Sequence, residues 1–117
     1  MNRATKNRIN SPIITRVIEL NKHLLRITDK AFNLVKRNYL DAVLKKGATL
    51  FDYTMRQLKG LDYKKRASEL VYEIQSNIYF IAALGGCDAK SCAVTDRLCD
   101  EILEMLGKLD NVSPGKS

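Results

Sequence analysis

The strongest constraint on this chain is a rhythm that proline never interrupts. Prolines stand only at positions 12 and 114, and between them apolar residues recur every three or four positions. Such spacing places apolar side chains on one face of an α-helix, and no alternation of period two competes with it. The chain is therefore predicted to be all-α. Ser11-Pro12 is a helix start, with Ser as N-cap and Pro at the first helical position. The first helix is expected to run from there to about residue 36, facing inward with Ile13, Ile14, Val17, Leu20, Leu24, Ile27, Phe32 and Leu34 or Val35. Thr28 and Asp29 are candidate caps for a new start, so a break or kink is open at that point.

A second helix is predicted over 38–59, with Tyr39 or Leu40, Val43, Leu44, Leu50, Phe51, Met55 and Leu58 inward. Gly47 in its middle costs about 1 kcal/mol relative to Ala, which a helix tolerates where a neighbouring backbone comes close. Gly60 is placed to end the helix. Asp62 is read as the cap of a third helix, 63–84, carrying Tyr63, Ala67, Leu70, Val71, Ile74, Ile78 and Ile81 inward; Gly85-Gly86 closes it. Asp88 or Ser91 then caps a fourth helix, 89–109, with Cys92, Cys99, Ile102, Leu103, Leu106 and Leu109 inward. Four helices of similar length on short connections predict an antiparallel up-down-up-down four-helix bundle. In this division residues 1–10 form a basic arm, 11–110 the bundle and 111–117 a frayed tail.

The chain has 117 residues, enough for one modest core. No apolar run nears the ~18–20 residues of a membrane span, and the charged N-terminus lacks the apolar stretch of a secretory signal. Three cysteines, an odd number, imply no closed disulfide framework and fit a reducing cytoplasm. Their spacing, Cys87-x4-Cys92-x6-Cys99, offers three ligands at most beside one distant histidine, His23, so packing as small apolar residues is favoured over zinc. The segment "GGCDAKS" follows a helix and lacks the spacing of a phosphate-binding Walker loop. No nucleophile stands near the single histidine in sequence. The chain is read as a non-enzyme, without metal or cofactor.

Charge is the informative property. The net charge is +7, and its distribution is uneven. Residues 1–66 hold 16 Lys/Arg against 5 Asp/Glu, a balance of +11, and residues 67–117 hold 4 against 8, a balance of −4. Such asymmetry points to a polyanionic or acidic partner, or to head-to-tail association of subunits. On the first helix Arg16, His23, Arg26, Lys30 and Arg37 follow one stripe, interrupted by Glu19 and flanked by Lys22 and Lys36. On the second, Lys45, Arg56 and Lys59 share a face with Lys46 beside them. Lys64, Lys65 and Arg66 occupy the first turn of the third helix. Cations are locally unfavourable at that positive end, by a few tenths of a kcal/mol each, roughly, and with free backbone N–H groups they form an anion site. Arg16, Arg26, Lys30, Arg37, Lys45, Lys46, Arg56, Lys59, Lys64, Lys65 and Arg66 are the predicted contacts to an RNA or DNA backbone, salt-sensitive and weakly sequence-selective. A protein-interaction module docking an acidic partner is the alternative, and a small helical enzyme a third reading.

The segment "DEILEMLGK", residues 100–108, resembles the E-[IV]-G-x-[ML]-L-G ending of Avd-like proteins, the accessory variability determinants of diversity-generating retroelements. Glu101, Ile102, Met105, Leu106 and Gly107 match, Leu103 replaces a usual Gly, and Lys108-Leu109 stands where Gly-Trp or Ser-Trp is common. Residues 36–60, "KRNYLDAVLKKGATLFDYTMRQLKG", are similar to that family's second helix. The bundle proteins encoded in intervening sequences of 23S rRNA genes are the neighbouring group. The resemblance implies a non-enzymatic four-helix bundle, assembled as a pentamer with a basic surface, that binds nucleic acid and associates with a reverse transcriptase.

Overall fold

The computed structural model describes residues 11–109; the predicted arm 1–10 and tail 111–117 lie outside them. Five α-helical segments follow in order: α1 (Pro12–Lys30), the single turn α2 (Asn33–Val35), α3 (Asp41–Leu58), α4 (Lys64–Ala83) and α5 (Ala89–Lys108), with a π-helical turn (Lys36–Leu40) leading from α2 into α3. No strand occurs among the described residues. The four long helices form a ring in which α1 packs on α3, α3 on α4, α4 on α5 and α5 back on α1. This is the predicted all-α four-helix bundle. Its core is a continuous apolar column that includes Ile14, Leu20, Leu24, Leu50, Ile74, Ile78, Ile102 and Leu106.

Several predicted boundaries are met in atomic detail. Ser11 Oγ accepts the Ile14 N–H at 3.4 Å, and Asp88 Oδ1 accepts the Ser91 N–H at 2.8 Å. Gly60 (φ 96°) and Gly85 (φ 83°) take the left-handed conformation that lets α3 and α4 end in paired reverse bonds. In the first, Gly60 N–H reaches Gln57 O (3.0 Å) and Leu61 N–H reaches Arg56 O (3.1 Å); Gly85 and Gly86 repeat the pattern onto Ala82 and Ile81.

Elsewhere open alternatives are decided and some expectations fail. α1 is continuous through Thr28 and Asp29, because the Thr28 hydroxyl turns back onto Leu24 O (2.9 Å) and caps nothing. The helix stops at Lys30, well short of residue 36, where Ala31 and Phe32 become extended. Phe32, expected in the core, is 55% exposed, and of the alternatives Leu34 and Val35 it is Val35 that is buried. Leu40 is buried while Tyr39 sits at the rim against Phe80. Val35 and Leu40 are five residues apart, which in an α-helix separates them by about 140°. The wider π turn, closed by Asp41 N–H on Lys36 O, lets both face the core. Asp62 does not cap α4: Tyr63 takes the cap position, no side chain caps the turn, and the Tyr63 N–H donates to the buried Gln57 Oε1 at 2.8 Å. Cys99, Ile102 and Leu106 are buried as expected, while Cys92, Leu103 and Leu109 are half-buried.

Gly47 is a close-approach point, but the group that comes close is a side chain, not the neighbouring backbone that its mid-helix position predicts. Asn21 of α1 lies over it, donating from Nδ2 to Val17 O (2.9 Å) and to Gly47 O (3.2 Å). A Cβ at position 47 would collide with Asn21 Oδ1 and stand 3.1 Å from Asn21 Cγ. Gly47→Ala gains about 1 kcal/mol of helix propensity but meets an overpacking cost of about 1–3 kcal/mol. We expect a net loss of stability in urea denaturation, and partial recovery in the Asn21→Ala/Gly47→Ala double variant, where the obstructing amide is gone.

Candidate nucleic-acid interface

Closing the ring brings the basic first helix against the acidic last one, and this sorts the cations. Arg16 is half-buried between α1 and α5. Its Nε stands 2.6 Å from Glu101 Oε2, and its Nη1 stands 3.1 Å from Glu19 Oε1. Arg97 joins the same Glu101 at 3.3 Å. Arg16 is thus a member of an internal charge chain across a helix interface. His23 also leaves the predicted surface stripe. It is buried at the α1–α5 seam, its Nε2 3.0 Å from Ser91 O and 3.1 Å from Thr95 Oγ1. A carbonyl can only accept, so Nε2 carries the hydrogen and Nδ1 is left to titrate. Arg37 lies beyond the helix break, so the stripe does not continue to it; it is exposed on the π turn beside Lys36. Arg26 and Lys30 remain on α1, exposed.

A second group forms at the other end of the bundle, around the connection 60–63. Tyr63 packs on Tyr53 with ring centroids 5.0 Å apart, and the guanidinium groups of Arg56 and Arg66 lie 5.4 Å and 5.1 Å from its ring. Distances of this order make cation–π contacts. Arg56 also pairs with Asp52 at 3.1 Å and donates to Tyr63 Oη at 3.1 Å. Lys64 donates from Nζ to Leu109 O at 2.6 Å, which sets its charge against the negative end of α5. Lys59 and Lys65 flank the turn, exposed, with no carboxylate within 4 Å among the described residues. Lys45 points outward from α3, and Lys46 lines a small groove with Tyr39 and Phe80 between α3 and α4.

The predicted cations therefore divide. Arg16, Arg56 and Lys64 are engaged within the fold, while Arg26, Lys30, Arg37, Lys45, Lys46, Lys59 and Lys65 make no ion pair with a described residue. Arg66 makes none either, and rests on Tyr63. Sequence reasoning passed over Lys90 and Arg97, cations of the acidic half that α5 carries beside α1. Asp88 marks the start of α5 and so the position of Lys90, but its proximity to α1 depends on contacts some 68 residues apart in sequence. The cysteines remain free thiols. Burial pushes Cys87 up to about 11 and Cys99 up to about 12, which suits packing and disfavours nucleophilic or ligating roles. Among the described residues no three His, Cys, Asp or Glu side chains gather as a metal site, and no helix is long and apolar enough to cross a membrane.

Burial holds the His23 imidazole below its ordinary value, and the charges of Arg26 and Arg97 add to this, against the opposing hydrogen bond to Ser91 O. The unfolded chain takes up this proton near pH ~6.5 and the folded chain only at lower pH. Stability from His23 is complete above that value and is lost as pH falls below it. Denaturation midpoints should decline between about pH 7 and 5.5, and His23→Gln should flatten the decline. Arg16→Ala should lower stability by about 1 kcal/mol in chemical denaturation, since it breaks a half-exposed interhelical network. Comparison with known proteins finds no matching family model, no matching curated protein and no matching solved structure.

Proposed function

We propose that this protein is a non-enzymatic, cytoplasmic nucleic-acid-binding bundle, of the Avd-like kind that its second and last helices resemble. It would act as an oligomeric accessory, a pentamer on the family pattern, to a reverse transcriptase or a similar RNA-handling partner. The observation that carries the binding reading is the Arg56–Tyr63–Arg66 stack with Lys59 and Lys65 beside it. A sequence shaped for stability alone places Asp or Glu in the first turn of a helix, and α4 has Lys64, Lys65 and Arg66 there with no acidic residue. Lys64 relieves its charge on α5, but Lys65 and Arg66 do not. A polyanion supplies the missing negative charge, and the exposed cations of α3 extend the track. Phosphate contacts of this type fix position on a strand without reading bases.

Binding to a labelled single-stranded RNA should weaken linearly in log K against log salt between about 50 and 200 mM. Each lost phosphate contact makes the slope shallower by about 0.7, so Lys59→Ala/Lys65→Ala should reduce it by about 1.4. Arg16→Ala should leave the slope unchanged. Affinity that ignores both salt and the double substitution contradicts the reading and favours a module that docks an acidic protein.

A further inference from the structure

A groove of about 400 Å³ runs between the C-terminal half of α1 and the first turns of α5. Arg26 and Lys30 line it from α1 and Lys90 from α5, over the apolar side chains of Ile27 and Val94, with His23 at its inner end. Lys30 also borders an adjoining hollow of about 290 Å³ that reaches the Gly85-Gly86 turn. None of the three cations makes an ion pair with a described residue. The acid in the lining is Asp88, and its carboxylate is occupied by the Ser91 N–H. That hydrogen bond holds it below the usual carboxylate range, and Lys30 and Lys90 act in the same direction.

Three like charges around one concavity, against one committed carboxylate, carry a repulsion that a bound dianion would relieve. The N-terminus of α5 adds little, because Asp88 already caps it; the side chains hold the charge. The volume falls within the range of small-ligand sites, roughly 300–1,000 Å³, and the apolar floor suits a flat organic body beside the charged end. We propose that this groove binds a phosphate monoester of nucleotide size. The phosphate sits among Arg26, Lys30 and Lys90, and the sugar or base lies over Ile27 and Val94. The ligand is a free nucleotide or the 5′-phosphate end of a strand. The site lies on the α1–α5 face and does not rest on backbone binding at the α3–α4 turn.

His23 is the single histidine of the chain, so its imidazole resonance reports this groove without ambiguity. The full chain is titrated with adenosine 5′-monophosphate, adenosine, inorganic phosphate and a short oligonucleotide with or without a 5′-phosphate. The monophosphate should shift the His23 signal saturably, inorganic phosphate more weakly, and adenosine not at all. Lys30→Ala/Lys90→Ala should weaken the monophosphate about tenfold or more, while Lys59→Ala/Lys65→Ala leaves it unchanged. Lys90→Glu, a single exposed substitution, gives the same test should the double variant fold poorly. A response to the 5′-phosphorylated oligonucleotide identifies a strand end as ligand, and a response to the free nucleotide alone identifies the small molecule. Absence of a His23 shift, equal shifts with adenosine, or unaltered affinity in the Lys30 and Lys90 variants overturns the proposal. Loss of RNA affinity at the α3–α4 turn, with this titration intact, would fall on the other site alone.

Discussion

The contact between α1 and α5 governs the rest of this molecule. These are the first and last long helices, and their packing turns a row of helices into a closed ring. The seam is polar as well as apolar. His23 bonds across it to Ser91 O, and Arg16 meets Glu101. Burying a polar group without a partner costs more than a made bond returns, so the His23 contact favours this register of the two helices more than it adds net stability. The same seam brings positive and negative chain segments together. It neutralises Arg16 and leaves Arg26 and Lys30 facing outward.

The cations that crowd the first two-thirds of the sequence are thereby divided by environment. Cations at helix interfaces are structural: Arg16 with Glu101 and Lys64 on the carbonyl end of α5. Cations at exposed faces, and Lys59 and Lys65 beside the α3–α4 turn, make no ion pair with a described residue. Arg56 and Arg66 occupy a middle position, each within cation–π distance of the Tyr63 ring. The planar guanidinium fork loses less entropy per hydrogen bond to a phosphate than a lysine does.

Much of the architecture was legible in local chemistry. Ser11-Pro12, Asp88, Gly60 and Gly85 each act within one turn of themselves, so their roles can be read without knowing the fold. Gly47 was legible as a close approach, but of a neighbouring backbone, whereas the group found there is the Asn21 side chain. The failures share a cause. The end of α1 at Lys30 and the π turn at Lys36–Leu40 are set by which of Val35 and Leu40 can reach the core, a tertiary demand that periodicity does not carry. Asp62 had the right side chain for a cap, but Gln57, from the preceding helix, took the Tyr63 N–H instead. The candidate site followed the same pattern. The cations of the α3–α4 turn are consecutive in sequence, whereas the loss of Arg16 and His23 from the surface stripe required knowing that α5 lies beside α1.

The division of cations into structural and available groups is open to direct observation. Amide and arginine side-chain resonances of the labelled chain can be followed while a short single-stranded RNA is added at low salt. The account predicts that shifts concentrate at residues 56–66, with the Arg16 Nε–H signal unmoved and still paired to Glu101. Shifts at Arg16 and Glu101, with residues 56–66 silent, would contradict it.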